Sequence, residues 1–120
     1  HCQGLVGAAV ARQGEIGFDI EPAHRAAAGV LRKICDAEEM LLAQRRGPMY
    51  VWVAKEAALK CLGLSALMAG QVRLVDDHAI MRGTVLYLQR PLLAAGFEAA
   101  IASTKKWLAT DIELHGNGGL

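Results

Sequence analysis

Ile16-Gly17-Phe18-Asp19-Ile20-Glu21 and, thirty-odd residues later, Trp52-Val53-Ala54-Lys55-Glu56-Ala57-Ala58-Leu59-Lys60 decide how this chain is read. The first has the composition of a short strand, on which alternate residues share a face. Phe18 and Ile20 therefore point one way, and Asp19 and Glu21 the other. The second reads as a helix. At ~100° per residue, Trp52, Lys55, Glu56, Leu59 and Lys60 fall on one broad arc, and Ala54, Ala57, Ala58 and Cys61 on the opposite one. The small-residue arc can lie very close to a sheet. The other then presents Glu56 and Lys60 one turn apart.

Two carboxylates on one strand face repel each other, a cost that a bound cation removes. Oxygen-rich sites of this kind suit Mg²⁺, which keeps several waters and takes one or two carboxylates plus a substrate phosphate. Each half also has an ordinary reading. Asp19 and Glu21 fit the acidic outer face of a half-exposed strand, and Glu56 with Lys60 fits a surface pair worth ~0.3–0.5 kcal/mol.

The chain around these stretches is one domain of 120 residues, 53% hydrophobic and 21% charged, with two residues each of Trp, Tyr and Phe. Its core is therefore mostly aliphatic. A net charge of +1 without a basic block gives no general attraction to nucleic acid. No apolar run approaches the roughly 20 residues of a membrane span, and no signal peptide is visible. Cys2, Cys35 and Cys61 lack metal-type spacing and fit a reduced, cytoplasmic setting.

From the N-terminus, Leu5 to Ala11 is a short apolar run, and Gln13-Gly14 suits a hairpin turn that pairs it with residues 15–21. Pro22 closes that strand, and Ala23 to Ile34 is expected to be helical. Asp36-Ala37-Glu38-Glu39 has the form of a capping box, with Asp36 as N-cap and Glu39 reaching back. That leaves Glu38 as the freer acid. A short helix follows, then a second from about Met49 to Leu62 that stops at Gly63.

Beyond it, Gln71 to Val75 alternates, Asp76-Asp77-His78 reads as a turn, and Ala79 to Leu88 as a strand bulged at Gly83. Phe97 to Ala102 and Leu108 to Leu114 are further strands. His24, His78 and His115 read as loop or surface residues, and no phosphate-binding glycine loop is present. The pattern predicts an α+β fold: an antiparallel sheet with helices packed on one side.

Together the two stretches resemble the paired signatures of the 4′-phosphopantetheinyl transferase superfamily. In that family an apolar-Gly-apolar-Asp-Ile-Glu strand precedes an aromatic-x-x-Lys-Glu-Ala/Ser-x-x-x-Lys helix; here Glu56 follows Asp19 by thirty-seven positions. The larger, Sfp-type branch carries an aromatic-Ser-x-x-Glu segment between them, where Ile34-Cys35-Asp36-Ala37-Glu38 stands. It also carries a Ser-His pair near the place of His1, eighteen positions before Asp19. Val53 and Ile34 depart from the pattern, which usually has a small polar residue and an aromatic there. The chain looks like the second of the two Sfp-type halves, with residues 1–115 as the domain and 116–120 as a flexible tail. It is also similar in length to the holo-acyl-carrier-protein synthase branch, which works as a trimer.

The resemblance implies Mg²⁺-dependent transfer of the phosphopantetheine arm of coenzyme A to a serine of an acyl, peptidyl or aryl carrier protein. It implies Asp19, Glu21 and Glu56 as metal ligands and Glu38 as the base. Lys60 would act on a phosphate oxygen, assisted by Lys55, and His1 would bind coenzyme A. A homo-oligomer, dimer or trimer, would replace the missing half. The competing expectation is a non-catalytic half-domain that binds coenzyme A, a carrier protein or a partner subunit. A metal-dependent phosphohydrolase has the acids but not the expected His or Ser spacing.

Overall fold

The structure, a computed structural model, describes residues 7–11, 16–23, 28–91, 95–106 and 112–116. In chain order the elements are β1 (Gly7–Ala11), β2 (Ile16–Pro22), α1 (Ala28–Ile34), α2 (Ala37–Arg46) and α3 (Pro48–Leu62). A 3-10 helix (Ala66–Gln71) follows, then β3 (Arg73–Val75), β4 (His78–Met81), β5 (Thr84–Gln89), β6 (Phe97–Ser103) and β7 (Ile112–Gly116). Five strands form an antiparallel sheet in the order β2-β6-β5-β4-β3. The architecture is α+β, as the pattern predicts.

Strand register sorts the side chains by face. Gly17, Asp19 and Glu21 on β2 lie opposite Ala102, Ala100 and Glu98 on β6. Ala100 and Ala102 join Leu74, Ala79, Met81, Leu86 and Leu88 in one core cluster with α3. The other face of the β2–β6 pair carries a separate small cluster of Ile20 and Ala99, with Phe18 and Phe97 packed against it.

Helix α3 is central rather than two-faced. Its small residues Ala54, Ala57 and Ala58 are fully buried, but so are Val51, Val53 and Lys55, and Leu59 is almost so. Helices α1 and α2 and the 3-10 helix also pack against it. Of the arc expected to face solvent, Lys60 is exposed while Trp52 and Glu56 are half-buried.

Several boundaries differ from expectation for local reasons. The first strand does not pair with β2: β1 pairs with β7, from Gly7 opposite Gly116 to Ala11 opposite Ile112, and β2 takes β6. Gly116, expected in the tail, ends β7. The bulge at Gly83 is a hairpin turn, since Arg82 and Gly83 both have positive φ, 50° and 83°. That is the geometry two-residue hairpins require. The capping box is formed: the Asp36 side chain accepts from the Glu39 N–H at 2.8 Å, and Glu39 Oε1 accepts from the Asp36 N–H at 3.0 Å. Gly63, at φ 69°, caps α3 in the left-handed conformation.

Candidate active site

Gly17 brings the two opening stretches together. A Cβ built on it would lie 2.1 Å from the Ala57 carbonyl oxygen and 2.4 Å from the Cys61 nitrogen, so β2 meets α3 backbone to backbone. Only a residue without a side chain permits that approach. Two residues along the same face, Asp19 then reaches α3 one side chain away, and Lys60 Nζ donates to Asp19 Oδ1 at 2.7 Å.

Asp19 is 6% exposed, and its second oxygen, Oδ2, is buried with no hydrogen-bond partner among the described residues. The same holds for Oε1 of Glu56. A buried carboxylate oxygen without a donor costs a desolvation penalty of order 1–3 kcal/mol or more, so two on facing elements call for an explanation. Burial pushes the Asp19 carboxyl up, opposed by the hydrogen bond and charge of Lys60. Burial and then the Asp19 charge push Glu56 up, with Lys60 opposing and Glu21 adding to the rise. Glu21 therefore belongs to the same electrostatic group, on the same strand face.

These features fit a divalent cation: two carboxylates in mutual repulsion, each with an unpartnered oxygen, in a partly buried setting. Among the described residues no three His, Cys, Asp or Glu side chains gather closely enough to enclose an ion. Mg²⁺ does not need them, because one or two carboxylates suffice where waters and a substrate phosphate complete the octahedron.

The remaining expected residues separate into three cases. Lys55 stands apart from this group. Its side chain is fully buried; Nζ pairs with Glu39 Oε2 at 2.9 Å and donates to the carbonyls of Ile34 at 2.5 Å and Val72 at 2.7 Å. The expected assistance at a phosphate gives way to an internal role, because burial in a ring of acceptors leaves the ammonium nothing to offer a substrate. Glu38 lies on the first turn of α2 with its side chain 75% exposed and accepts from Arg73 Nη2 at 3.2 Å. It touches neither Asp19, Glu56 nor Lys60. His1 lies outside the described residues.

The formed capping box also offers a second register for the segment between the signatures. Ser-x-x-Glu is itself a capping-box pattern, and Asp36-Ala37-Glu38-Glu39 occupies it with Glu39 as the glutamate. Glu39 is 3% exposed and held by Lys55 and by the Leu74 N–H. An incoming macromolecule can reach Glu38 but not Glu39.

Sequence reasoning missed Arg73, which tethers Glu38 and lies 3.8 Å from Asp36. It also missed Arg90, which pairs with Glu98 on β6, donates to the Arg46 carbonyl and lies over the Tyr50 ring at 4.7 Å. Neither has a local signal, because the partners are thirty-five and eight or more residues away.

A family model described as the 4′-phosphopantetheinyl transferase superfamily matches residues 15–109, well over half of the chain. None of the curated proteins compared matches it.

Proposed function

The chain belongs to the 4′-phosphopantetheinyl transferase superfamily, and from that premise we propose that it transfers the phosphopantetheine arm of coenzyme A to a serine of a carrier protein. The supporting observation is the pair of buried oxygens without a partner among the described residues, Asp19 Oδ2 and Glu56 Oε1, on side chains that share the charge of Lys60. Asp19 and Glu56, with Glu21 on the same strand face, would hold Mg²⁺. When bound, the cation neutralises pyrophosphate charge as the leaving phosphate departs.

The chain's own residues divide the rest. The serine oxygen forms a new bond to the phosphorus that carries the pantetheine arm, and the bridging P–O bond breaks to release 3′,5′-ADP. Glu38, exposed and on a rigid helix turn, accepts the serine proton once the carrier docks. Lys60 is half-exposed, so its ammonium can serve a phosphate oxygen as well as Asp19. His1 is retained as a proposed coenzyme A contact. A second copy of the chain would supply surfaces for coenzyme A that β2 and α3 do not.

Incubation with coenzyme A, Mg²⁺ and an apo carrier protein, followed by mass spectrometry of the carrier, tests the reading. The expected result is a mass gain of one phosphopantetheine arm. A carrier that keeps its mass while the protein still binds coenzyme A overturns catalysis and points to the binding half-domain.

A further inference from the structure

Beneath the surface between α2 and α3 lies a buried polar group with several partners, and the mechanism makes no use of it. Lys55 and Glu39 are 0% and 3% exposed. The Lys55 ammonium meets Glu39 Oε2 and the carbonyls of Ile34, Val72 and, at 3.4 Å, Ala69. Glu39 also accepts from the backbone N–H of Leu74 at 2.9 Å and of Asp36 at 3.0 Å. One ion pair thus joins the end of α1, the start of α2, the 3-10 helix, β3 and the middle of α3.

Stability alone is a poor reason for such a pair. Replacing a buried ion pair by apolar groups of similar volume is often neutral or stabilising. What the pair supplies and an apolar contact does not is direction: each bond fixes a distance and an angle. Its place in the chain gives that direction a use. Glu39 immediately follows Glu38, and Lys55 immediately precedes Glu56.

We propose that Lys55 and Glu39 are positioning residues whose buried ion pair sets the proton acceptor Glu38 against the carboxylate site at Glu56. The assignment rests on the transferase reading above. Without the pair, α2 and α3 still pack through Leu42, Ala43, Met49 and neighbouring apolar residues. Their relative rotation and translation would then be set by contacts that tolerate sliding. An offset of order 1 Å between an acceptor and the reacting group is enough to cost about a hundredfold in rate.

The decisive variant is the double Glu39→Gln/Lys55→Met, which removes both charges at similar volume and retains a capping-box glutamine. Its thermal midpoint is expected to fall, because the carbonyls of Ile34, Ala69 and Val72 lose the Lys55 donor, so kcat is compared at a temperature where both proteins are folded. Its kcat for carrier modification is expected to fall at least tenfold, with KM for coenzyme A changed less than about threefold. Amide exchange over residues 37–41 is expected to quicken more than that of the slowest core amides. Recovery of both kcat and exchange to wild-type values would reduce the pair to a structural role.

If the double variant does not fold, Glu39→Asp keeps the charge but withdraws it by one methylene. The same split between kcat and KM is expected there, and full kcat overturns the proposal. Glu38→Gln separates the two levels. Unchanged kcat in Glu38→Gln sinks the assignment of Glu38 itself. Loss there, beside full kcat and unchanged exchange in the double variant, sinks only the positioning pair.

Discussion

Burial makes both Asp19 and Glu56 harder to ionise, the Asp19 charge adds to the rise at Glu56 and Glu21 to both, and Lys60 only partly relieves them. Both carboxyls are raised by burial, so the cation-free folded state binds protons more readily than the unfolded chain does. Their contribution to stability is therefore present at low pH and lost as pH rises through the raised values. Glu56→Gln should flatten that loss and raise the neutral-pH thermal midpoint without divalent cations. The same change should weaken Mg²⁺ at least tenfold by calorimetric titration; an unchanged affinity would remove Glu56 from the cation site. For the wild type, Mg²⁺ affinity should decline as pH falls into the weakly acidic range, because protons compete for the same oxygens. Lys60→Met deletes the donor that lowers Asp19. It should move that decline to higher pH, which an affinity series across pH would detect.

At the scale of elements, the site depends on how closely β2 can approach α3. Gly17→Ala must displace helix backbone, since the contact atoms are the Ala57 carbonyl oxygen and the Cys61 nitrogen and Cα rather than a flexible side chain. A loss of about 2–3 kcal/mol in denaturant unfolding is expected, together with weaker Mg²⁺ binding as Asp19 moves away from Glu56. A variant with wild-type stability would mean that the strand does not lie as close as described. Helix α2 has a milder dependence. Asp36→Ala removes a formed cap and should cost ~1 kcal/mol, and loosening the first turn should slow carrier modification through Glu38. The central helix itself carries little of this information in its periodicity, because nearly every side of it is buried.

On the scale of the molecule, the five-stranded sheet and the β1–β7 ladder are separate sheets among the described residues. Loss of residues 107–120 removes β7, the partner of β1, but none of the five strands of the larger sheet. That shortened chain is expected to unfold in one cooperative step at a lower temperature and to retain Mg²⁺ affinity within about threefold; a non-cooperative melt would show that the ladder is needed for the core. No helix among the described residues is long and apolar enough to cross a membrane.

Much of the design is local and hence readable from the chain. Strand alternation separates Phe18 and Ile20 from Asp19 and Glu21, Asp36 and Glu39 announce a cap, and Gly63 ends a helix, since each depends on neighbours within a turn or a pleat. The juxtaposition of Asp19 with Glu56 and Lys60 was legible only through paired motifs whose order and spacing are known. Tertiary structure alone decided the fate of Lys55. Periodicity put it on the arc with Glu56 and Lys60, but only part of that arc reaches solvent, and α2, the 3-10 helix and β3 close over Lys55. Its ammonium therefore finds acceptors up to twenty-one residues away. The exchange of strand partners, β1 with β7 and β2 with β6, was likewise a matter of long-range pairing, which no local turn signal can fix.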